Sequence, residues 1–151
     1  MAERLTWEDF EVGTVYRSPT HLVTEDEIVD FAGRFDPQPF HLDPVEAANT
    51  IYGGLIASGW HMASLCFRLF IDSGIFGDGH VSLGAPGVEH LRWLRPGRPG
   101  DQLMTVATIA DKFPHKRKNS IGFIRIHFEL LNQHNEPVLS MQSDLMTRRR
   151  R

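Results

Sequence analysis

The chain has 151 residues, of which 41% are hydrophobic and 23% charged; that length builds one domain with its own core, and that balance excludes a disordered chain. A formal net charge of −3 excludes bulk electrostatic attraction to nucleic acid. The single cysteine, Cys66, excludes an intrachain disulfide and a cysteine-built structural zinc site.

Residues 1–9 turn acidic early and carry no apolar core, so no secretory leader is expected, and no apolar run is long enough to span a bilayer. With a lone thiol, these features predict a cytoplasmic protein. Residues 14–23 alternate partly and contain Pro19, which predicts an edge strand. Thr24-Glu25-Asp26-Glu27 reads as a capping box opening a helix over 25–34, with Ile28, Phe31, Ala32 and Phe35 at helical spacing. Pro37 and Pro39 then predict a non-helical loop. Asp43-Pro44 opens a short second helix that ends before Gly53-Gly54. Ser58 reads as the N-cap of a third helix over 59–73, stopped by Gly74. That helix is apolar on nearly every side, which predicts burial and leaves His61, Ser64, Arg68 and Asp72 in need of partners.

The second half reads as strands over 88–95, 103–113, 120–132 and 138–147, with turns at 96–100 and 132–137; their succession predicts an antiparallel meander. In the 120–132 strand Gly122, Ile124, Ile126, Phe128 and Leu130 share one face and Arg125, His127 and Glu129 the other, so one side of the sheet is wet. The simplest packing curls the sheet around the apolar helix in a two-layer α+β domain. The four arginines at 148–151 read as a solvated, frayed tail.

The chemistry concentrates in Phe35-Asp36-Pro37-Gln38-Pro39-Phe40-His41-Leu42-Asp43. On a regular helix Asp36 and His41 would point in different directions; on a loop bent by two prolines both can face one pocket. An apolar pocket would raise the Asp36 pKa. The pair could then deprotonate a water and return a proton elsewhere. The bland alternative has Asp36 bonding local backbone and His41 a neighbour. The second candidate is Gly53-Gly54-Leu55-Ile56-Ala57-Ser58-Gly59-Trp60-His61. A Gly59 amide at a helix start favours negative charge and could stabilise an oxyanion. Alternatively, Ser58 is an ordinary cap, Gly59 only permits close packing, and Trp60 lines the core or a tunnel.

Other chemistries find no support. His41 and Asp43 have no helical His pair beside them, so no metal site is expected. Gly84-Ala85-Pro86-Gly87 lacks the lysine of a phosphate loop, and Ser58 does not sit in a nucleophile elbow. Cys66 lies among apolar side chains and reads as inert core.

The two candidate segments, in this order and followed by strands, resemble the MaoC-like dehydratases, a family that includes (R)-specific enoyl-CoA hydratases. The likeness covers most of the chain and is strongest from Asp36 to Gly59, where the pattern is Asp-x-x-Pro-x-His-x-Asp-Pro. Trp93-Leu94-Arg95-Pro96-Gly97-Arg98-Pro99-Gly100-Asp101 is similar to the family's strand and turn. The resemblance implies a single hot-dog domain over 1–151, a curved sheet around a long central helix. It implies Asp36 and His41 as the catalytic pair, with Pro39 between them, and Gly59 as the donor of an amide to the thioester oxygen. Ser58, Gln38 and Trp60 join Gly59 as expected substrate-binding residues. The chain departs from the family pattern in three places. Phe35 replaces a usual glycine, Gln38 a usual asparagine, and Phe67-Arg68 occupies the region where some catalytic members place a small polar group.

The implied reaction is reversible syn hydration of a trans-2-enoyl thioester to a 3-hydroxyacyl thioester. It implies no metal or redox cofactor, and coenzyme A only as part of the substrate. The implied partners are an acyl thioester of coenzyme A or acyl carrier protein and a second copy of the chain, in a homodimer or dimer-based oligomer, with no nucleic acid and no membrane. The cluster Lys112, His115, Lys116, Arg117 and Lys118 is either a solvated hairpin end or a landing place for coenzyme A phosphates. The alternatives are a hot-dog acyl-CoA thioesterase and a non-catalytic acyl-thioester-binding subunit.

Overall fold

The structure, a computed structural model, describes residues 4–77 and 81–150. Arg151 of the basic tail and the first three residues lie outside the described residues. After a 3-10 turn at Trp7–Asp9 come strands β1 (Val15–Arg17) and β2 (His21–Leu22), then helices α1 (Glu25–Phe35), α2 (Pro39–Leu42), α3 (Pro44–Ala48) and α4 (Gly59–Asp72). Strands β3 (Glu89–Trp93), β4 (Gln102–Pro114), β5 (Ile121–Leu131) and β6 (Pro137–Arg148) complete the chain. The expected 14–23 strand is split at Ser18-Pro19-Thr20, where proline cannot donate to the ladder.

The six strands form one antiparallel sheet in the order β1-β4-β5-β6-β3, with β2 also paired to β4. Only β4, β5 and β6 form the expected meander. β3 does not pair with the strand that follows it; it lines the far edge beside β6. The segment 94–101 is therefore not a hairpin turn but a crossing over the sheet, and it passes the start of α4. The alternation in β5 is as expected: Gly122, Ile124, Ile126, Phe128 and Leu130 are buried, and the intervening residues are half-buried.

The sheet wraps α4, which buries Met62, Cys66, Leu69 and Phe70 in the core. Phe70 meets Phe128 edge to face at 4.9 Å. Thr105 donates a 2.8 Å hydrogen bond to the Cys66 carbonyl, satisfying both polar groups inside the core. The helix is not buried all round, however. Trp60, Phe67 and Ile71, at helical spacing, stay exposed on one face. Apolar composition alone could not separate a helix covered on all sides by its own chain from one covered on a single side.

The N-terminus of α1 forms half of the expected capping box. Thr24 accepts a hydrogen bond from the Glu27 amide, while the Glu27 carboxylate turns away to His21 Nε2 at 3.0 Å. Arg149 and Arg150 are not frayed: Arg149 pairs with Glu8 and Arg150 with Asp9, tying the end of β6 to the 3-10 turn.

Candidate active site

Asp36 is the residue on which α1 ends, its amide donating to the Ala32 carbonyl. Pro37 stops that helix, but the residues after it are not all loop. Pro39 takes the first position of a new helical turn, where a missing amide proton costs nothing. This corrects the expected non-helical loop and explains how two groups five residues apart converge. Asp36 closes one helix and His41 projects inward from the next. His41 is buried, and its Nδ1 lies 2.8 Å from the Ile56 carbonyl. A carbonyl only accepts, so Nδ1 carries a proton. That leaves Nε2 as the nitrogen that faces Asp36, 3.2 Å from its Oδ2.

The Asp36 carboxylate is held on both oxygens. Ser58 Oγ donates to Oδ2 at 2.6 Å, and Gln38 Nε2 donates to Oδ1 at 2.6 Å. The Ser58 hydrogen bond is the chief cause that holds the Asp36 pKa below its ordinary value; partial burial opposes it, and Gln38 and His41 reinforce it. The sequence expectation was the reverse. An apolar pocket raises a carboxyl pKa only when no donors reach the carboxylate, and here donors do. Ser58 is the N-cap residue of α4, as expected, and its carbonyl accepts from the Met62 amide, but its side chain makes no hydrogen bond to the helix amides. Neither Ser58 nor Gln38 lines the cavity beside the pair. Both serve it through Asp36.

That cavity measures about 340 Å³. Asp36, His41 and Gly59 open onto it together, with Met62, Trp60 and Trp93 among its walls. Gly59 is the first residue of α4, so its amide belongs to the initial set that has no partner within the helix. Trp60 is 57% exposed and meets Trp93 edge to face at 5.1 Å. The 94–101 crossing closes the remaining side, its Gly97 carbonyl accepting from the Ala57 amide at 2.8 Å. A Cβ at 97 would fall 2.5 Å from the Met62 sulfur, so any side chain there would displace Met62. Trp93 was not legible as a site residue; the only signal was its position at the head of the Trp93-to-Asp101 stretch.

Other candidates lie elsewhere. Cys66 is buried and its thiol pKa is pushed up to about 12, so it is unreactive. Lys112 is not part of a free basic cluster: its ammonium donates to the Phe10 carbonyl and sits over the Trp7 ring. The remaining basic residues cap the β4–β5 hairpin, at the opposite end of β4 from the crossing, roughly 40 Å along the 13-residue strand. Beside the site, His61 is buried and stacks on Phe31, with Nε2 3.6 Å from Glu27. Among the described residues no three His, Cys, Asp or Glu side chains converge to hold a metal ion, and no helix is long and apolar enough to cross a membrane.

A family model described as "MaoC like domain" matches residues 9–123. The uncharacterized protein YdeM of Bacillus subtilis is 30% identical over 142 residues, which is 94% of this chain and 98% of that one. Among solved structures, a MaoC-like dehydratase from Rhodospirillum rubrum superposes with a TM-score of 0.89 at 37% identity, covering 97% of this chain and 99% of its own. The R-hydratase PhaJ1 of Pseudomonas aeruginosa superposes with a TM-score of 0.74 at 25% identity, covering 97% of this chain and 88% of its own. The shared architecture is the hot-dog fold.

Proposed function

The chain belongs to the MaoC-like domain family, and from that membership we propose that it is a hydro-lyase that adds water reversibly to a trans-2-enoyl thioester. The observation that carries this reading is the convergence of three groups on one cavity: the Asp36 carboxylate, the His41 Nε2 that faces it at 3.2 Å, and the amino end of α4 at Gly59.

In this mechanism a water on the cavity side of the pair, within hydrogen-bond reach of both Asp36 and His41 Nε2, attacks the β-carbon of the enoyl group. The pair accepts one proton from that water as the carbon–oxygen bond forms. Negative charge moves through the α-carbon to the thioester oxygen, where the Gly59 N–H and the helix end meet it. The pair then delivers a proton to the α-carbon, which closes the balance at one added water. Positioned acid–base groups contribute about 10²–10⁴-fold, and an oxyanion donor about 10²–10³-fold. Every group required is supplied by the chain, and coenzyme A or acyl carrier protein enters only as the carrier of the acyl group. The apolar walls at Phe40, Ile56, Met62 and Leu94 suit an acyl chain. The exposed Trp60, Phe67 and Ile71 face of α4 suits burial against a second copy in a dimer-based assembly.

Crotonyl-CoA discriminates among the readings. Loss of enoyl conjugation without release of free thiol is the expected result. Thiol release would make the protein a thioesterase, and saturable binding with neither change would make it a non-catalytic acyl-thioester-binding subunit.

A further inference from the structure

Gly59 is gripped from the sheet side by a residue that the mechanism has not used. Trp93 ends β3, and its indole Nε1–H donates a 2.7 Å hydrogen bond to the Gly59 carbonyl. The ring lies where a side chain at 59 would be: an added Cβ would meet three indole atoms, two of them at 2.5 Å. Trp93 is anchored in turn, paired with Leu139 of β6. Just before it β3 carries a bulge, with one extra residue between Glu89 and Arg92 and His90 held at a φ of 54°. Bulges and left-handed non-glycine residues cost energy and recur where a strand must aim a side chain.

The grip falls on a sensitive joint. Gly59 links two peptide planes. The first carries its own N–H; the second carries the carbonyl held by Trp93 and the N–H of Trp60. A glycine restrains its own torsions least of any residue. At the first position of α4, the direction of both amides therefore depends on what holds the glycine from outside. A hydrogen bond to the carbonyl of the second plane also polarises the N–H of that plane.

We propose that Trp93 is the positioning residue for the oxyanion-binding amides at the start of α4, fixing the Gly59 and Trp60 N–H groups toward the cavity. The chemistry assigned to those amides rests on the enoyl-thioester reading; the grip itself does not.

The test uses Trp93→Phe, which keeps a ring over Gly59 and removes only the donor, and Trp93→Ala, which removes both. With crotonyl-CoA, Trp93→Phe is expected to lower kcat about tenfold, the worth of one neutral hydrogen bond, with KM within about twofold, the signature of an interaction that matters mainly in the transition state. Trp93→Ala is expected to lose more, up to about 100-fold, as for a small misplacement of a reacting group. A loss confined to KM would make Trp93 a substrate contact and overturn the proposal, as would wild-type kcat in Trp93→Phe. Amide NMR supplies a second readout that needs no turnover. The one-bond N–H residual dipolar couplings of Gly59 and Trp60, which report bond direction and not the ring current of residue 93, should change in Trp93→Phe while those of the β4–β5 hairpin amides stay in place; unchanged Gly59 and Trp60 couplings would overturn the proposal. If the wild-type protein hydrates no enoyl thioester, the enzymatic reading falls, and the NMR comparison still decides whether Trp93 sets these amides.

Discussion

The Asp36 oxygen that faces His41 Nε2 at 3.2 Å also accepts a 2.6 Å hydrogen bond from Ser58 Oγ. One buried serine thereby connects the end of α1 to the start of α4. It holds the carboxylate in place and in its ionised form at once.

The pH consequence has a definite sign. Donors to the ionised form depress the Asp36 pKa, so the carboxylate persists below the ordinary aspartate value of about 3.9. Activity that needs this carboxylate fades only as pH falls through the depressed value. Ser58→Ala removes the chief cause and should move the acid limb of the kcat/KM profile to higher pH, with kcat reduced on the plateau. An acid limb at the wild-type position would show that Ser58 does not tune Asp36.

Gly59→Ala forces a methyl group into the Trp93 ring, with contacts of 2.5 Å before relaxation. Overpacking of this kind costs about 1–3 kcal/mol, and relief requires movement of α4 or of Trp93. The variant should unfold at lower denaturant with an unchanged slope, and lose kcat beyond what the unfolded fraction explains. A wild-type midpoint in urea would mean that the indole swings aside at no cost.

How much of this site was legible follows from how local each signal is. The α1 start at Thr24, the α3 start at Asp43-Pro44 and the inward alternation of β5 are short-range patterns, and the structure agrees with them. The Asp36–His41 spacing is equally local, and the two side chains do converge, though through a helical turn begun by Pro39. The placement of β3 beside β6 depends on pairing across some fifty residues, as with Arg92 and Ser140, and alternation says nothing about partners. Ser58 reaches Asp36 across 22 residues and Trp93 reaches Gly59 across 34. Neither contact leaves a mark in the residues near it, which is why Ser58 read as a cap or a substrate-binding residue and Trp93 as an interior strand position.

His61 offers a stability measurement separate from catalysis. Burial is the main cause that holds its pKa below the ordinary histidine value, outweighing the attraction of Glu27. The folded chain thus binds this proton less readily than the unfolded chain. The contribution of His61 to folding is undiminished above the unfolded value of about 6.5 and is lost as pH falls below it. Melting temperature should drop between neutral pH and pH about 5, and His61→Gln should show a shallower drop. Equal slopes for the two proteins would remove His61 as the cause.

Cys66, with its thiol pushed up to about 12 and buried against Thr105, should resist alkylation in the folded protein at mildly alkaline pH and react fully in denaturant. Rapid labelling of the native protein would contradict the packing of α4 on β4.

The most direct measurement is single-site kinetics on the dyad. Crotonyl-CoA hydration is followed by loss of enoyl absorbance for the wild type, Asp36→Asn and His41→Ala, each with its melting temperature recorded. Both variants should remain folded and lose at least about 100-fold in kcat, the lower range for a positioned acid–base group. Near-normal turnover in either folded variant would contradict the assignment of water activation to the carboxylate–imidazole pair.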